Sequence, residues 1–302
     1  MSTDNNDENM CANCGKGEEE SISLKKCGAC MSVRYCSAAC QKAHRPQHNK
    51  ECKKHAAEIH EKALFRQPSL EDCPICFLRV PTLLSGNRYE ACCGKAICTG
   101  CIHAVALMRP DSHAIPKCPF CRTPAPTSAE EVIKRENKRI EVGDAQAIHN
   151  RACHYRDGRY GFPQDRAKAL ELWQRSGKLG GAFANHNIGY AYYSGRGVER
   201  NKKKAVHYFE LAAIGGNVEA RNNLGSIEVL AGNTGRALKH FMIAVESGCD
   251  KSLKAVQVLF LGGQATKDDY TKALRAYQAY FAEIKSDQRD KAAAFSDEYR
   301  YY

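Results

Sequence analysis

The 302-residue sequence holds a single tryptophan and no apolar run of the ~18 residues that a membrane helix needs. Met1 to Met10 lacks the basic and apolar stretches of a secretory signal and is acidic and polar instead. These absences point to an intracellular protein, cytoplasmic or nuclear, with no membrane partner. Cysteine is almost missing from the second half, where only Cys153 and Cys249 stand, while the other fifteen of the 17 lie between Cys11 and Cys121. A disulfide scaffold would not be so lopsided. In a reducing compartment the recurring C-x-x-C pairs are the spacing of zinc ligands.

The formal charge of +11 counts every thiol as neutral, whereas metal-bound thiols are deprotonated. Fifteen thiolates and four divalent ions would take the balance to about +4. Lys134, Arg135, Lys138 and Arg139 alternate with Glu130, Glu131, Glu136 and Glu141, which at helical spacing reads as a solvated face laced with i, i+4 pairs. No basic stripe with interleaved aromatics is present, so nucleic acid is disfavoured as a partner and proteins are favoured.

Composition divides the chain into seven parts. Residues 1–10 read as a disordered tail and 11–52 as a first metal cluster. Residues 53–72 form a helical linker, with Ala56, Ile59, Ala63 and Leu64 as a partial stripe that Pro68 ends. A second cluster fills 73–122, and a linker helix fills 123–142, opened by the capping box Ser128-Ala129-Glu130-Glu131. Repeats occupy 143–285, and 286–302 is a C-terminal tail.

The repeats are counted from two series. Ala147 with Asn150, Ala184 with Asn187 and Ala220 with Asn223 recur at steps of 37 and 36 residues. Downstream in each unit stand Ala169 and Trp173, Ala205 and Phe209, Ala237 and Phe241, and Ala273 and Tyr277. An alanine followed four residues later by an aromatic puts both on one helix face, where the small residue admits a neighbouring helix and the ring fills the space beside it. Each unit is therefore a helical hairpin. Arg151 stands where later units have Ile188 and Leu224, as suits a terminal, capping repeat. Gly195-Arg196-Gly197 is no phosphate loop, because no strand precedes it. With Gly189, Tyr192, Gly195, Gly197, Val198 and Ala205, these anchors resemble the Sel-one-like repeat, a tetratricopeptide-related scaffold, which implies protein binding.

The first cluster reads C11-x2-C14-x12-C27-x2-C30-x5-C36-x3-C40-x7-H48-x3-C52. Eight such ligands make two closed, structural zinc sites. Tyr35-Cys36-Ser37 and Cys40-Gln41-Lys42-Ala43-His44 resemble the MYND finger. That resemblance implies interleaved ligation, with Cys11, Cys14, Cys36 and Cys40 on one ion and Cys27, Cys30, His48 and Cys52 on the other. His44 and His55 are left as surface residues. It also implies a groove for short proline-containing peptides, lined by Gln41, although Arg45 stands where the family usually has a tryptophan.

The second cluster is C73-P-I-C76-x15-C92-C93-x4-C98-x2-C101-x16-C118-P-F-C121-R122. It resembles an all-cysteine RING finger, which implies Cys73, Cys76, Cys98 and Cys101 on one zinc and Cys92, Cys93, Cys118 and Cys121 on the other. The adjacent cysteines can share an ion only in a tight turn that Gly94 helps form; otherwise one is a bystander and His113 completes the site. The resemblance implies a ubiquitin ligase without a catalytic centre of its own, gripping a ubiquitin-conjugating enzyme through Ile75 and Pro119 and orienting ubiquitin with Arg122. The aromatic usually found past the sixth ligand is absent from Ile102-His103-Ala104-Val105. The alternative is a non-enzymatic adaptor. The expected fold is two small zinc-stabilised modules holding four ions, followed by an all-α helical-hairpin solenoid.

Overall fold

The computed structural model describes residues 9–18, 22–69, 71–82, 84–108 and 115–301. The chain forms two compact units, residues 1–66 and 67–302. Eight residues of the expected N-terminal tail lie outside the described residues. Met10 is not tail, because it bridges to Gly17 within the first unit.

In the first unit a short antiparallel pair, β1 (Lys25–Lys26) and β2 (Arg34–Tyr35), precedes the long helix α1 (Ala38–Leu64). Ser37 caps α1 by accepting from the Cys40 N–H at 3.2 Å. Helical periodicity then brings Cys40, His48 and Cys52 to one face. Leu24 and Tyr35 are buried among the cysteines and supply most of the apolar core. A module with so little apolar area depends on metal for its stability.

The second unit begins with a hairpin, β3 (Asn87–Glu90) and β4 (Lys95–Cys98), paired from Asn87↔Cys98 to Glu90↔Lys95. Helix α2 (Thr99–Leu107) follows at once, and its inner face with Ile97 and Ile102 makes the core of this module. Helix α3 (Ala129–Glu141) is capped by Ser128, but the box is not closed as expected: the Glu131 carboxylate accepts from the Thr127 N–H at 3.1 Å. Nor is α3 solvated all round. Glu136 is 4% exposed, and its carboxylate accepts from Arg151 Nε at 3.2 Å and His154 Nε2 at 2.8 Å. Arg151, the polar residue of the first repeat, thus meets a buried acid, and α3 caps the helical stack.

Four helical hairpins follow: α4 (Ala145–Asp157) with α5 (Arg166–Lys178), α6 (Ala182–Ser194) with α7 (Lys202–Ile214), α8 (Val218–Leu230) with α9 (Thr234–Val245), and α10 (Asp250–Leu261) with α11 (Lys267–Ile284). Ala147, Ala169, Ala184, Ala205, Ala220, Ala237 and Ala273 are all fully buried, as are Phe209 and Phe241 to within 1%. Gly189 and Gly225 let those rings approach: an added Cβ would stand 2.7 Å from the Phe209 ring and 2.4 Å from that of Phe241. The motif asparagines bind the preceding hairpin. Asn187 Nδ2 lies 3.0 Å from His149 Nε2, and Asn223 Nδ2 lies 3.2 Å from His186 Nε2.

The stretch expected as a C-terminal tail is ordered. Helix α12 (Asp287–Phe295) packs on α2, with Arg289, Ala292 and Tyr301 buried. Tyr280 of α11 accepts from the Thr82 N–H at 2.9 Å, and Thr82 Oγ1 donates to the Ser247 carbonyl at 2.7 Å. Residues 73–122 are therefore built into the repeat unit and are not strung beside it.

Candidate metal centres

Four C-x-x-C knuckles share one backbone design. The N–H of the residue after the second cysteine donates to the carbonyl of the first: Gly15 to Cys11, Met31 to Cys27 and Phe77 to Cys73 at 2.9 Å, and Arg122 to Cys118 at 3.0 Å. The N–H of each first cysteine donates in turn to a carbonyl beyond the turn, at Lys16, Val33, Leu78 and Thr123. That closure holds the residue after the pair in the left-handed region, with φ of 71° at Gly15, 57° at Met31 and Phe77, and 64° at Arg122. Three of the four thus carry a Cβ where glycine fits best.

The knuckles deliver their sulfurs to four tetrads. Cys11, Cys14, Cys36 and Cys40 converge in one, and Cys27, Cys30, His48 and Cys52 in the next, with all ligand atoms of each within 4.8 Å of one another. Cys73, Cys76, Cys98 and Cys101 form the third, and Cys92, Cys93, Cys118 and Cys121 the fourth, to the same limit. Cys92 and Cys93 both belong because the β3–β4 turn folds them together: Cys93 and Gly94 both donate to the Glu90 carbonyl, and Gly94 has φ of 71°. His113 lies outside the described residues.

The donor sets fit zinc. Ligands at about 2.3 Å in a tetrahedron have edges of about 3.8 Å. Cys14 and Cys36 are 3.6 Å apart, Cys27 and Cys52 3.7 Å, Cys76 and Cys98 3.8 Å, and Cys93 and Cys118 3.9 Å. Disulfide sulfurs would stand at about 2.05 Å, and every cysteine is free. Crowded thiols resist ionisation without a cation. The resistance is shared unequally: hydrogen bonds from Cys40 and Cys14 push Cys36 up to about 12 and burial raises Cys92, whereas Cys11 and Cys121 are brought down to about 6, where burial is outweighed by the hydrogen bonds their sulfurs accept. Four such tetrads are consistent with four zinc ions, each closed by protein ligands and therefore structural.

Neighbouring side chains hold the ligands in place. His44, expected as a plain surface residue, is half-buried: its Nδ1 lies 3.0 Å from the Tyr35 hydroxyl, and its ring stacks on the His48 ligand at 5.6 Å between centroids. The third tetrad is backed by Arg289, whose guanidinium donates to the Ile284 carbonyl at 2.6 Å and reaches Cys76 Sγ at 3.8 Å. Burial opposes that charge, and the Cys98 and Cys76 sulfurs offset the penalty. The Arg139 guanidinium packs on Gly94 of the fourth tetrad's turn and donates to Asp144 Oδ2 at 2.7 Å, and Tyr89 of β3 donates to the same oxygen at 2.7 Å. Arg289 carried no signal in the sequence, and Arg139 read there as part of a solvated face because Gly94 and Tyr89 lie far from it in the chain.

The expected partner-binding residues fare unequally. Gln41 is exposed near the start of α1, and Arg122 is exposed after the last ligand. Ile75 is half-buried and packs on the Cys73 and Ile97 core. Pro119, expected at the surface contact, is buried. The neighbouring Phe120, 45% exposed, is the apolar residue that this knuckle presents, as Phe77 is for the other. The tight knuckle turns Pro119 inward and leaves Phe120 outside, an orientation that spacing alone does not give.

The family model of the MYND finger matches residues 11–52, and that of the Sel1 repeat matches 145–181 and 182–217. The chain is 41% identical over 80 residues to the E3 ubiquitin-protein ligase DA2 of Arabidopsis thaliana, covering 26% of this chain and 18% of that protein. It is 42% identical over 81 residues to the E3 ubiquitin-protein ligase GW2 of Oryza sativa subsp. japonica, covering 26% and 17%. It thus spans less than a fifth of these relatives. A Sel1 repeat protein from Oxalobacter formigenes superposes with a TM-score of 0.44 at 24% identity, over 51% of this chain and 64% of that one. No helix among the described residues is long and apolar enough to cross a membrane. The chain carries a MYND finger at its N-terminal end, and its helical solenoid contains Sel1 repeats.

Proposed function

We propose that residues 73–122 form a RING-type finger and that the chain is a ubiquitin ligase whose protein substrates are recruited by the Sel1 repeats. The observation that carries this reading is the crossed ligation of the second cluster. Its first and third cysteine pairs converge in one tetrad and its second and fourth in the other, so that two knuckles flank α2. One knuckle holds Ile75 and the exposed Phe77, the other the exposed Phe120 and Arg122. The likeness to proteins named as E3 ubiquitin-protein ligases supports it.

The chain performs no bond chemistry itself. Zinc, when bound, supplies rigidity only, since every tetrad is filled by protein ligands. Ile75, Phe77 and Phe120 offer a conjugating enzyme an apolar contact, and the Arg122 guanidinium holds the charged ubiquitin against it, so that a flexible thioester spends more time near its attack geometry. Gln41 is assigned to peptide contact by the MYND finger. An adaptor without ligase function is the second reading, favoured by the burial of Pro119. Autoubiquitination of the purified chain across a panel of conjugating enzymes separates the two: ubiquitin chains that disappear after zinc chelation support the ligase, and none with any enzyme leaves the adaptor.

A further inference from the structure

A cleft of about 330 Å³ opens between the first two hairpins of the solenoid, walled by Arg156, Arg166, Leu170, Trp173, Tyr190 and Arg196. Its charges are unbalanced. Arg156 is satisfied by a two-pronged pair with Asp157, at 2.7 Å for both bonds. Among the described residues no carboxylate pairs with Arg166 or Arg196. The Gly195-Arg196-Gly197 turn brings these two together, because Gly197 lies directly over the Arg166 stem, where an added Cβ would be 3.0 Å from Arg166 Cβ. Beyond the turn the chain continues through Arg200, Lys202, Lys203 and Lys204, with only Glu199 opposing. Two uncompensated guanidinium groups over a concave apolar floor concentrate positive potential in a recess.

From this we infer that the cleft binds acidic peptide segments, with carboxylates on Arg166 and Arg196 and an adjacent apolar side chain on Trp173 and Leu170. The inference rests on the reading of the repeats as the substrate-recruiting part. The volume suits one or two side chains and is at the small end for ligand sites. A guanidinium presents paired donors that match a carboxylate. Single-stranded nucleic acid fits less well, because the tyrosine faces it would stack on are already covered: the Arg196 guanidinium lies 5.7 Å from the Tyr190 centroid, Arg200 5.9 Å from Tyr193, and the Lys204 ammonium 5.1 Å from Tyr192.

Trp173 is the one tryptophan of the chain and lines this cleft, so its emission reports occupancy without a label. The full chain is titrated with a synthetic peptide of glutamates interspersed with leucine and serine, with the same peptide carrying glutamine for glutamate, and with a single-stranded RNA oligonucleotide. The glutamate peptide is expected to give a saturable change that weakens with added salt, the glutamine peptide none. Arg166→Glu and R196E should each weaken binding at least tenfold with helical content unchanged, and Arg196→Gln should fall between. Equal response to both peptides, no response to either, or RNA binding tighter than the glutamate peptide overturns the inference. Discharge of ubiquitin from a conjugating enzyme is measured on the same R166E and R196E proteins and should match wild type. Peptide binding lost with discharge intact is the failure of the cleft alone, whereas wild type without discharge but with peptide binding is the failure of the ligase reading alone.

Discussion

Gly100 and Arg289 are in direct backbone contact across the junction of α2 and α12: a Cβ on Gly100 would stand 2.9 Å from Arg289 N and 3.0 Å from its Cα. Backbone cannot retreat as a flexible side chain can. Gly100→Ala should therefore separate the two helices and destabilise the second unit by about 1–3 kcal/mol, read as an earlier urea midpoint. An unchanged midpoint would mean that α12 does not pack there.

Arg289 itself brings a buried positive charge to a tetrad of four thiolates. Supporting residues of this kind are worth about 10–100-fold in metal affinity. Arg289→Met, which keeps the volume and removes the charge, should release one zinc to a chelator that much more readily while the other three are retained as in wild type. Uniform release from all sites would assign Arg289 a global structural role only.

The shared knuckle design gives a paired test in the first unit. A side chain in the left-handed region costs about 1–2 kcal/mol, so Gly15→Val should weaken zinc retention. Met31→Gly, relieving the same strain at the next knuckle, should leave it equal or improved. Competition with a chromogenic chelator measures both.

His149 gives the solenoid a pH dependence. Burial lowers it from its ordinary 6.5 to about 4, and as acceptor from Asn187 its Nε2 must stay unprotonated. Its folded value is the depressed one, so the unfolded chain takes up the proton first. The stability it contributes is complete above pH 6.5 and is lost as pH falls toward 4. The loss amounts to about 3 kcal/mol. His186 is shifted the same way, again by burial. His149→Gln should flatten this dependence relative to wild type, followed by Trp173 emission in urea at each pH. Taking the difference removes the acid sensitivity of the zinc sites common to both proteins.

Much of this architecture is legible in the sequence, because metal spacing and the alanine–aromatic repeat are local signals. The ligand tetrads need only residue types at fixed separations, and Ala184 with Asn187 marks a helix whatever lies elsewhere. What was not legible depends on distant partners. Residues 286–302 read as a tail because the three residues they bury, Arg289, Ala292 and Tyr301, include a charged one and form no hydrophobic pattern. Glu136 read as solvated because its partners, Arg151 and His154, lie in the next helix. Pro119 and Phe120 exchange roles because the backbone closure of the knuckle, rather than composition, decides which one faces outward.

The ligase reading is tested most directly by single-turnover discharge of a ubiquitin-charged conjugating enzyme, comparing wild type with Arg122→Ala at confirmed equal zinc content. The expected result is acceleration by wild type and a clear slowing in R122A, with conjugating-enzyme binding retained, whereas Ile75→Ala loses that binding. No acceleration by the wild-type chain with any conjugating enzyme, or an R122A protein as fast as wild type, would contradict it.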